Sequence, residues 1–580
     1  MKKYKYILIL LFVFGGIISC DMDDTLEEKA KDFLSPDNSY TDKAGFESAL
    51  ANIYLTIRTD MYANSDSPDN FDMLGGDVDF AAKQVSKTTW NEYFYWNTLN
   101  ADSNFAEKWW TRFYNWIYQA NTIIDRADDD GASWDSDDDK NAIIGEAKFL
   151  RAWAYHFLAN MWGGVPLVLE ETTSAKFDYS RATQEEVYQQ CKDDLEYAVQ
   201  WMPTVDELKG GRAPRAAAWH LLSEVDICLE DYDGAITAAS KVIDDSNFYL
   251  MTERFGQWTD FQFNGYDYRG EYETWGDVYW DLFQEGNMNW LEGNHEAIWN
   301  VEFDVNTLGG GNNSDGGNFV LERWWGGPVA WGLSDINGVT NFLKDTLGGR
   351  PIGLIAYGGS TSAWTPVNYT DSIIWEYKDD WDRDIRNSKY NIQRTYYWTN
   401  PASKFYGEPI TIENTSAPST NYIYNPACFK KAIPAVHHGL FTDSSSGQGH
   451  DGGGIFKDWY LMRLPETYLL RAEAYFRKGE SEKAAADINI VRSRAQATSV
   501  TAGDIDLDLI LDERARELYM EEFRLSTLMR MGKLQEYLMK YNSAVISKSY
   551  NLDDHINKLP IPNSEIEANK DAVLEQNTGY

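Results

Sequence analysis

Two stretches of the chain share one helical register, and more than two hundred residues of different character separate them. The clearer copy opens the block Trp459–Gly532. A helix is expected from Trp459 through Leu464-Pro-Glu-Thr-Tyr-Leu-Leu-Arg-Ala-Glu-Ala474 to Lys478, where Gly479 stops it. Ser481 is expected to cap a second helix with Ala484, Ile488 and Val491 on one face. A further helix is expected from Asp504, with Leu511, Ala515 and Leu518 at i, i+4, i+7, before a short one ending at Gly532. The second copy is Ala213–Asp244: Trp219, Leu222 and Ser223, a turn at Asp231-Tyr232-Asp233, then Ala235, Ala239 and Val242. A helix pair of this kind cannot bury its apolar face alone. Two copies so far apart predict a helical scaffold with something inserted, not a tandem array.

The repeat positions are those of a tetratricopeptide-like unit: Tyr468, Ala472, Tyr475, Gly479 and Ala484. The same periodicity runs through the N-terminal half. Helices are expected over Asp42–Arg58 (Phe46, Leu50, Ile53, Ile57 inward), Ser103–Ala127 (Phe113, Ile117, Ala120, Ile124) and Ile143–Trp162 (Ala147, Leu150, Ala154, Phe157). A fourth, Thr183–Met202, carries Glu186 at capping-box spacing from Thr183. Asp128–Asp139 reads as a solvated acidic loop. The calcium alternative fails because Arg126 stands where the first oxygen ligand before Gly131 should be. The fold class is therefore mostly α: a tetratricopeptide-like superhelical scaffold with a large loop-rich, aromatic-rich insertion. The expected segments are a leader 1–19, a tether 20–36, helical scaffold 37–245, insertion 246–457 and C-terminal helices with a tail 458–580.

Helical periodicity fails over 246–457, where Gly, Asn, Asp and aromatics dominate. Gly309-Gly310-Gly311-Asn312-Asn313 lacks the strand, lysine and helix of a phosphate loop. A stretch this long without regular elements usually has a role, and loops on a rigid scaffold carry binding residues. The chain holds 23 Trp and 36 Tyr, and because buried Trp and Tyr need partners for their N–H and O–H groups, a surplus of them often sits half-exposed.

Ninety-one acidic against 52 basic residues leave a net charge of -39. Nucleic acid is excluded as a partner, because phosphate binding needs clustered cations. There is no HExxH, GxSxG or Walker A pattern, and His437-His438 with His450-Asp451 reads as solvated loop. No cofactor and no metal are expected. Cys191 and Cys228 read as small core residues. Lys2, Lys3 and Lys5, an apolar run from Tyr6 to Phe14, and Ser19 before Cys20 resemble a bacterial lipoprotein leader with Cys20 as the lipidated residue. Asp21-Met-Asp-Asp after it resembles the surface-export signal of Bacteroidetes lipoproteins. The expected location is the outer membrane, lipid-anchored and facing outward.

A set of further motifs in order resembles the SusD/RagB family of surface glycan-binding lipoproteins. The pieces are Tyr114-Asn-Trp-Ile-Tyr-Gln-Ala-Asn121, Gly145-Glu-Ala-Lys-Phe-Leu-Arg-Ala-Trp-Ala-Tyr155, Gly163-Gly-Val-Pro-Leu167 and Gly211-Arg-Ala-Pro-Arg-Ala-Ala217. Leu464–Ala474, Val491-Arg-Ser-Arg494, Glu513-Arg514 with Glu517, Leu559-Pro-Ile-Pro-Asn-Ser-Glu565 and Gln576-Asn577-Thr-Gly-Tyr580 follow. Glu522, Thr527 and Met531 depart from the family's usual Gly, Asp and Trp. The resemblance implies an α-superhelix of four repeat-like helix pairs and a SusC-like TonB-dependent transporter as partner. It implies a ligand site for oligo- or polysaccharide between an early loop and the insertion. The residues nominated there are Trp90, Tyr93 and Trp96 on one side and Trp275, Trp324, Trp325 and Trp331 on the other, with Asn91, Asn97 and Arg323 for hydroxyls. Trp324-Trp325 beside Gly326-Gly327 is the foremost pair, since adjacent aromatics next to glycines are hard to bury together. The alternatives are the same fold binding peptides, as some relatives do, and a secreted glycoside hydrolase.

Overall fold

The computed structural model describes residues 39–63, 96–208, 210–263, 271–304, 334–339, 383–393, 400–411, 413–416, 458–519, 521–541 and 551–580, with isolated residues and pairs between them. The N-terminal half runs α1 Lys43–Arg58, α2 Asn104–Arg126, α3 Asp137–Trp162, α4 Gln184–Trp201, α5 Arg215–Cys228 and α6 Tyr232–Ile243. The C-terminal part runs α7 Leu464–Arg477, α8 Ser481–Arg494, α9 Leu507–Leu518, α10 Arg524–Arg530, α11 Leu534–Tyr541 and α12 Asn563–Ala568. Helix starts fall where a short polar side chain accepts an orphan N–H. Asp42 accepts from Gly45, Ser136 from Asp139 and Asp506 from Leu509, while Thr183 closes the expected capping box with Glu186.

From α2 to α6 each helix packs on its neighbour in sequence, and α7 then packs on α6. Ile227 and Ala235 of the first repeat meet Leu470 and Ala474 of the second in one buried cluster. His220 Nδ1 lies 2.8 Å from Thr467 Oγ1 across the same joint. The two copies of the register are thus contiguous in space, and the chain leaves α6 and re-enters α7 at their junction. Aromatic stacking fills the core of the first half. Trp116 lies on Trp153 (ring centroids 5.6 Å) and Phe113 on Phe157 (5.2 Å).

The motif residues work by tying loops to helices. Arg151 donates to Asp194 through two nitrogens and to Asn121 Oδ1 at 2.8 Å, and Asn121 Nδ2 donates to Val168 O at 2.8 Å. Tyr155 OH donates to the same carbonyl at 3.0 Å. A Cβ on Gly164 would meet Ala182 O at 2.2 Å, so this loop closes only with glycine there. The C-terminal tail returns to the same place: Trp162 Nε1 donates to Pro560 O (2.9 Å), and Asn577 Nδ2 to Trp162 O (2.9 Å) and Leu559 O (2.7 Å).

Several expectations are corrected. Trp459–Arg463 is not the start of a helix but strand β2, antiparallel to strand β1 Ala297–Val301. Both strands are wholly buried, and a buried apolar run fits helix or strand equally until its partner is known. The helix begins after it, with Pro465 in the first turn, where a missing N–H costs nothing. Ser481 is the first helical residue of α8, and Glu480 stands at the cap without a side-chain bond. Asp137, Asp138 and Asp139 belong to the first turn of α3 rather than to a loop, where their charge suits the positive end of the helix. Part of the stretch expected as an insertion is core. Phe248, Ile298, Trp299, Val301 and Phe303 join the main apolar cluster, and Trp299 meets Trp153 edge-on at 5.0 Å.

A buried ionic framework binds the strand pair to the C-terminal helices. Arg463 of β2 holds Glu521 through two nitrogens (2.7 and 3.0 Å), Glu296 at 2.7 Å and Glu517 at 2.8 Å. Arg494 of α8 pairs with the same Glu296 and Glu517. Arg386, from within 246–457, reaches Glu513 of α9 at 2.8 Å and Glu517 at 3.2 Å, and Arg492 reaches Glu513 at 2.6 Å. All these side chains are at most 7% exposed. Burial alone would raise the pKa of Glu513, but Arg386, Arg492 and Arg516 hold it down at about 2. Removing one partner of such a group strands the others in low dielectric. Arg463→Met should lower unfolding stability by roughly 3–5 kcal/mol. Lys389→Met, which breaks an exposed pair with Glu273, should cost at most about 1 kcal/mol. Denaturant melts of the two variants check the contrast.

Asp458, just before β2, is the opposite case. It accepts from Phe303 N (2.9 Å) and Asn289 Nδ2 (3.0 Å) but faces acids, not arginines. Burial first, then Glu302 and Glu292, push its pKa from 3.8 up to about 8. The folded chain therefore keeps a proton that the unfolded chain loses from about pH 4 upward. This group's contribution to stability declines as pH rises from 3.8 to about 8. The melting temperature of Asp458→Asn should rise relative to the parent as pH is raised through that window, and calorimetry at pH 5 and 8 checks it.

Candidate functional site

Of the seven nominated aromatics, Trp96 and Trp275 lie within the described residues. Trp96 opens a 3-10 turn, Trp96–Thr98, just before α2. Asn100 staples the turn: its Nδ2 donates to Thr98 O (2.9 Å) and its Oδ1 accepts from Asp102 N (2.8 Å). From the far end of the chain, Asn563 N donates to Ala101 O (2.9 Å) and Asn563 Nδ2 to Asp102 Oδ1 (2.7 Å). Trp96 is half-buried, with one side against the main core. The segment after the indole is ordered before any ligand arrives, which lowers the ordering cost of a contact there. Asn97 lies in the same turn.

Trp275 corrects the expectation of an open platform. It is 2% exposed and packs with Trp280, Trp258, Phe261, Phe263 and Tyr390. Phe263 and Tyr390 meet it edge-on at 5.1 and 4.9 Å, and Lys389 Nζ lies 5.4 Å over its ring. Its face is already covered by protein. Trp96 and Trp275 belong to separate packing clusters. Trp90, Tyr93, Trp324, Trp325 and Trp331 lie outside the described residues, as do Asn91, Arg323, His437, His438, His450, Cys20, the leader and the tether.

The cluster around Trp275 is the base of the described insertion. Arg254 ties it together, reaching Asp281 (2.5 Å) and the carbonyls of Gly276 (2.8 Å) and Trp275 (3.0 Å). Asp277 accepts from Ser388 Oγ at 2.6 Å and from Asn391, and Ile385 N donates to Ala495 O at 2.9 Å. The base is thus clamped to α8 and, through Arg386, to α9. Tyr272 on its outer hairpin is 70% exposed.

Sequence reasoning missed surface aromatics on the scaffold itself. Tyr118 and Phe177 flank a groove beside α2, and Tyr249, half-exposed, lies flat on His295 at 4.5 Å. Only the outward register of Tyr118, off the buried stripe of its helix, marked any of them. A second, more polar cavity of about 620 Å³ lies beside Trp219, Arg215 and Lys241. Among the described residues no group of three or more His, Cys, Asp or Glu could hold a metal ion. No described helix is long and apolar enough to cross a membrane. Cys191 and Cys228 are free thiols whose pKa burial raises, which disfavours the nucleophilic thiolate.

Residues 295–580 match the profile of the SusD family, and residues 32–227 match a SusD-like profile described as "Starch-binding associating with outer membrane". The chain is 23% identical over 602 residues to SusD-like protein P25 of Formosa agariphila, covering all of both chains. It is 40% identical over 122 residues to starch-binding protein SusD of Bacteroides thetaiotaomicron, 21% of each. The structure superimposes on a laminarin binding SusD-like protein with a TM-score of 0.63 at 22% identity, covering 93% of this chain and 100% of the other. That likeness establishes the fold. With two family profiles matching residues 32–227 and 295–580 and the architecture in agreement, the chain belongs to the SusD family.

Proposed function

We propose that this protein is a lipid-anchored surface protein that captures oligo- or polysaccharide and hands it to a SusC-like TonB-dependent transporter in the outer membrane, without cleaving it. The observation that carries the reading is the Trp96 turn, which holds a half-buried indole at a segment stapled to a rigid helical scaffold. The match of this N-terminal half to a starch-binding, outer-membrane-associated profile supports it. So does the likeness to a laminarin-binding protein. In this reading Cys20 carries the lipid, and Trp96 acts with Trp90, Tyr93, Trp324, Trp325 and Trp331.

The energetics suit capture. Stacking one pyranose face on one indole contributes on the order of 1–2 kcal/mol. One platform binds weakly, but several in series reach roughly micromolar to millimolar Kd, at about 1.4 kcal/mol per tenfold. Ligand held at that strength is released readily to a transporter. The buried glutamates of the ionic framework are locked onto arginines, which leaves Glu296 and Glu513 unsuited to proton transfer.

Affinity electrophoresis on laminarin, starch, xylan and alginate is the direct test. The parent should be retarded by at least one polymer, and Trp324→Ala/Trp325→Ala should abolish the retardation. Unchanged mobility of that double variant would remove the pair from the site. Release of reducing ends by the purified protein would replace binding with hydrolysis. Trp275→Ala should behave in the reverse sense, losing roughly 3–5 kcal/mol of stability because a buried indole is deleted. Its Kd for the retained glycan should stay within about twofold, as titration calorimetry on the folded fraction would read.

A further inference from the structure

A groove of about 370 Å³ runs along the outer side of α2. Trp110, Tyr114 and Tyr118 of α2 form its floor, Phe177 and Tyr179 from the segment between α3 and α4 form one wall, and Glu565 of α12 stands at the end. Tyr118 and Phe177 are 45% and 43% exposed, and Trp110 is buried beneath them at 3%. This is a graded aromatic surface rather than a core residue that failed to be covered.

The groove is held open by bonds from distant parts of the chain. Tyr179 N donates to Asn569 Oδ1 and Asn569 Nδ2 to Tyr179 O, both at 2.8 Å. Asp571 N donates to Phe177 O at 2.8 Å, and Tyr114 OH to Pro166 O at 2.7 Å. The Phe177–Tyr179 wall cannot collapse onto the floor without breaking these. The rim carries the polar groups a polyol needs: the hydroxyls of Thr111 and Thr172, the Lys176 ammonium and the Glu565 carboxylate. The Glu565 carboxylate has no hydrogen-bond donor among the described residues, and burial beside Glu107 raises its pKa. A group that desolvation already penalises gains from a hydroxyl that donates to it. The volume falls within the roughly 300–1,000 Å³ of small-ligand sites.

Position connects the groove to the Trp96 turn. α12, which supplies Glu565, is pinned by Asn563 to Ala101 and Asp102 at the start of α2. Trp110 lies about 10 Å further along the axis of that helix. We propose that this groove is a second glycan subsite, borne by the scaffold, that takes pyranose units of a neutral chain running on from the Trp96 turn. The inference rests on the glycan-capture reading above and adds to it a site away from the insertion. Apolar ring faces stack on Tyr118 and Phe177, and hydroxyls donate to Glu565.

The test compares ligand lengths. The polymer retained by the parent on the four-polymer panel is cut into fragments of four and of twelve sugar units, and Kd for each is measured by titration calorimetry. Tyr118→Ala/Phe177→Ala should weaken the long fragment by about fivefold or more, the loss of roughly one stacking contact. The short fragment should be bound within about twofold of the parent. Both side chains are half-exposed, so the melting temperature should move by no more than about 2 °C. If the double variant does not fold, Tyr118→Ala alone and Glu565→Gln carry the same comparison. Equal affinity of parent and variant for the long fragment overturns the subsite while leaving capture intact. Failure of the parent to bind any glycan overturns the capture reading and the subsite together. Loss of co-purification with the transporter at unchanged glycan affinity would make the groove a protein contact and also overturn it.

Discussion

Arginines buried among glutamates set the geometry on which everything else is built. Arg463, Arg494, Arg386 and Arg492 meet Glu296, Glu513, Glu517 and Glu521 where a strand pair, two C-terminal helices and a piece of the looped-out region converge. Such groups are poor general stabilisers, because leaving water costs several kcal/mol per ion before pairing returns any of it. Their value is selectivity. A guanidinium fork satisfies carboxylates in few orientations, so a slipped strand register would leave buried charges unpaired. The framework therefore dictates where β2 lies, and with it where the chain leaves and re-enters the scaffold.

The rest of the architecture divides into parts that hold and parts that present. Stacked aromatics in the first half, the alanine-lined joint between the two repeats, and the C-terminal tail folded over Trp162 make a stiff body. The cluster around Trp275 is a second rigid base, clamped to that body through Asp277, Ile385 and Arg386. The Trp96 turn and the groove beside α2 lie on the first body. Capture by several weak aromatic contacts, as proposed, depends on this stiffness, because each contact is too small to offset the ordering of a mobile loop. A net charge of -39 keeps such a surface soluble and disfavours anionic ligands without selecting among neutral ones.

Much of this was legible in the residues. The Thr183–Glu186 capping box, Asp42 before α1, the stop at Gly479 and the inward stripes of α1 and α2 are local, and local physics places them. Asn121, Arg151, Asn577 and the Glu513–Glu517 pair belong to the motifs that pointed to the family, and each proves to bridge segments far apart in the chain. Trp459–Arg463 was misread because four apolar residues followed by an arginine are too short a run to show a period of their own. Trp275 was misplaced for a related reason. Indole is large enough to serve either as a core plug or as a platform, and neighbours in sequence do not say which faces are covered.

By itself the sequence determined the helical class, the two matching repeats, most helix ends and the family, because hydrophobic period, caps and glycine stops act within a few residues. Only the tertiary structure decided that the two repeats abut, that Ala297–Val301 and Trp459–Arg463 pair, that Trp275 is buried while Trp96 is not, and that Tyr118, Phe177 and Glu565 line one groove. The strand pairing and the repeat joint depend on contacts between residues more than a hundred positions apart, and the burial of Trp275 combines near neighbours such as Phe263 with the distant Tyr390. Burial and pairing are properties of the packed whole, and a side chain's own chemistry leaves them open.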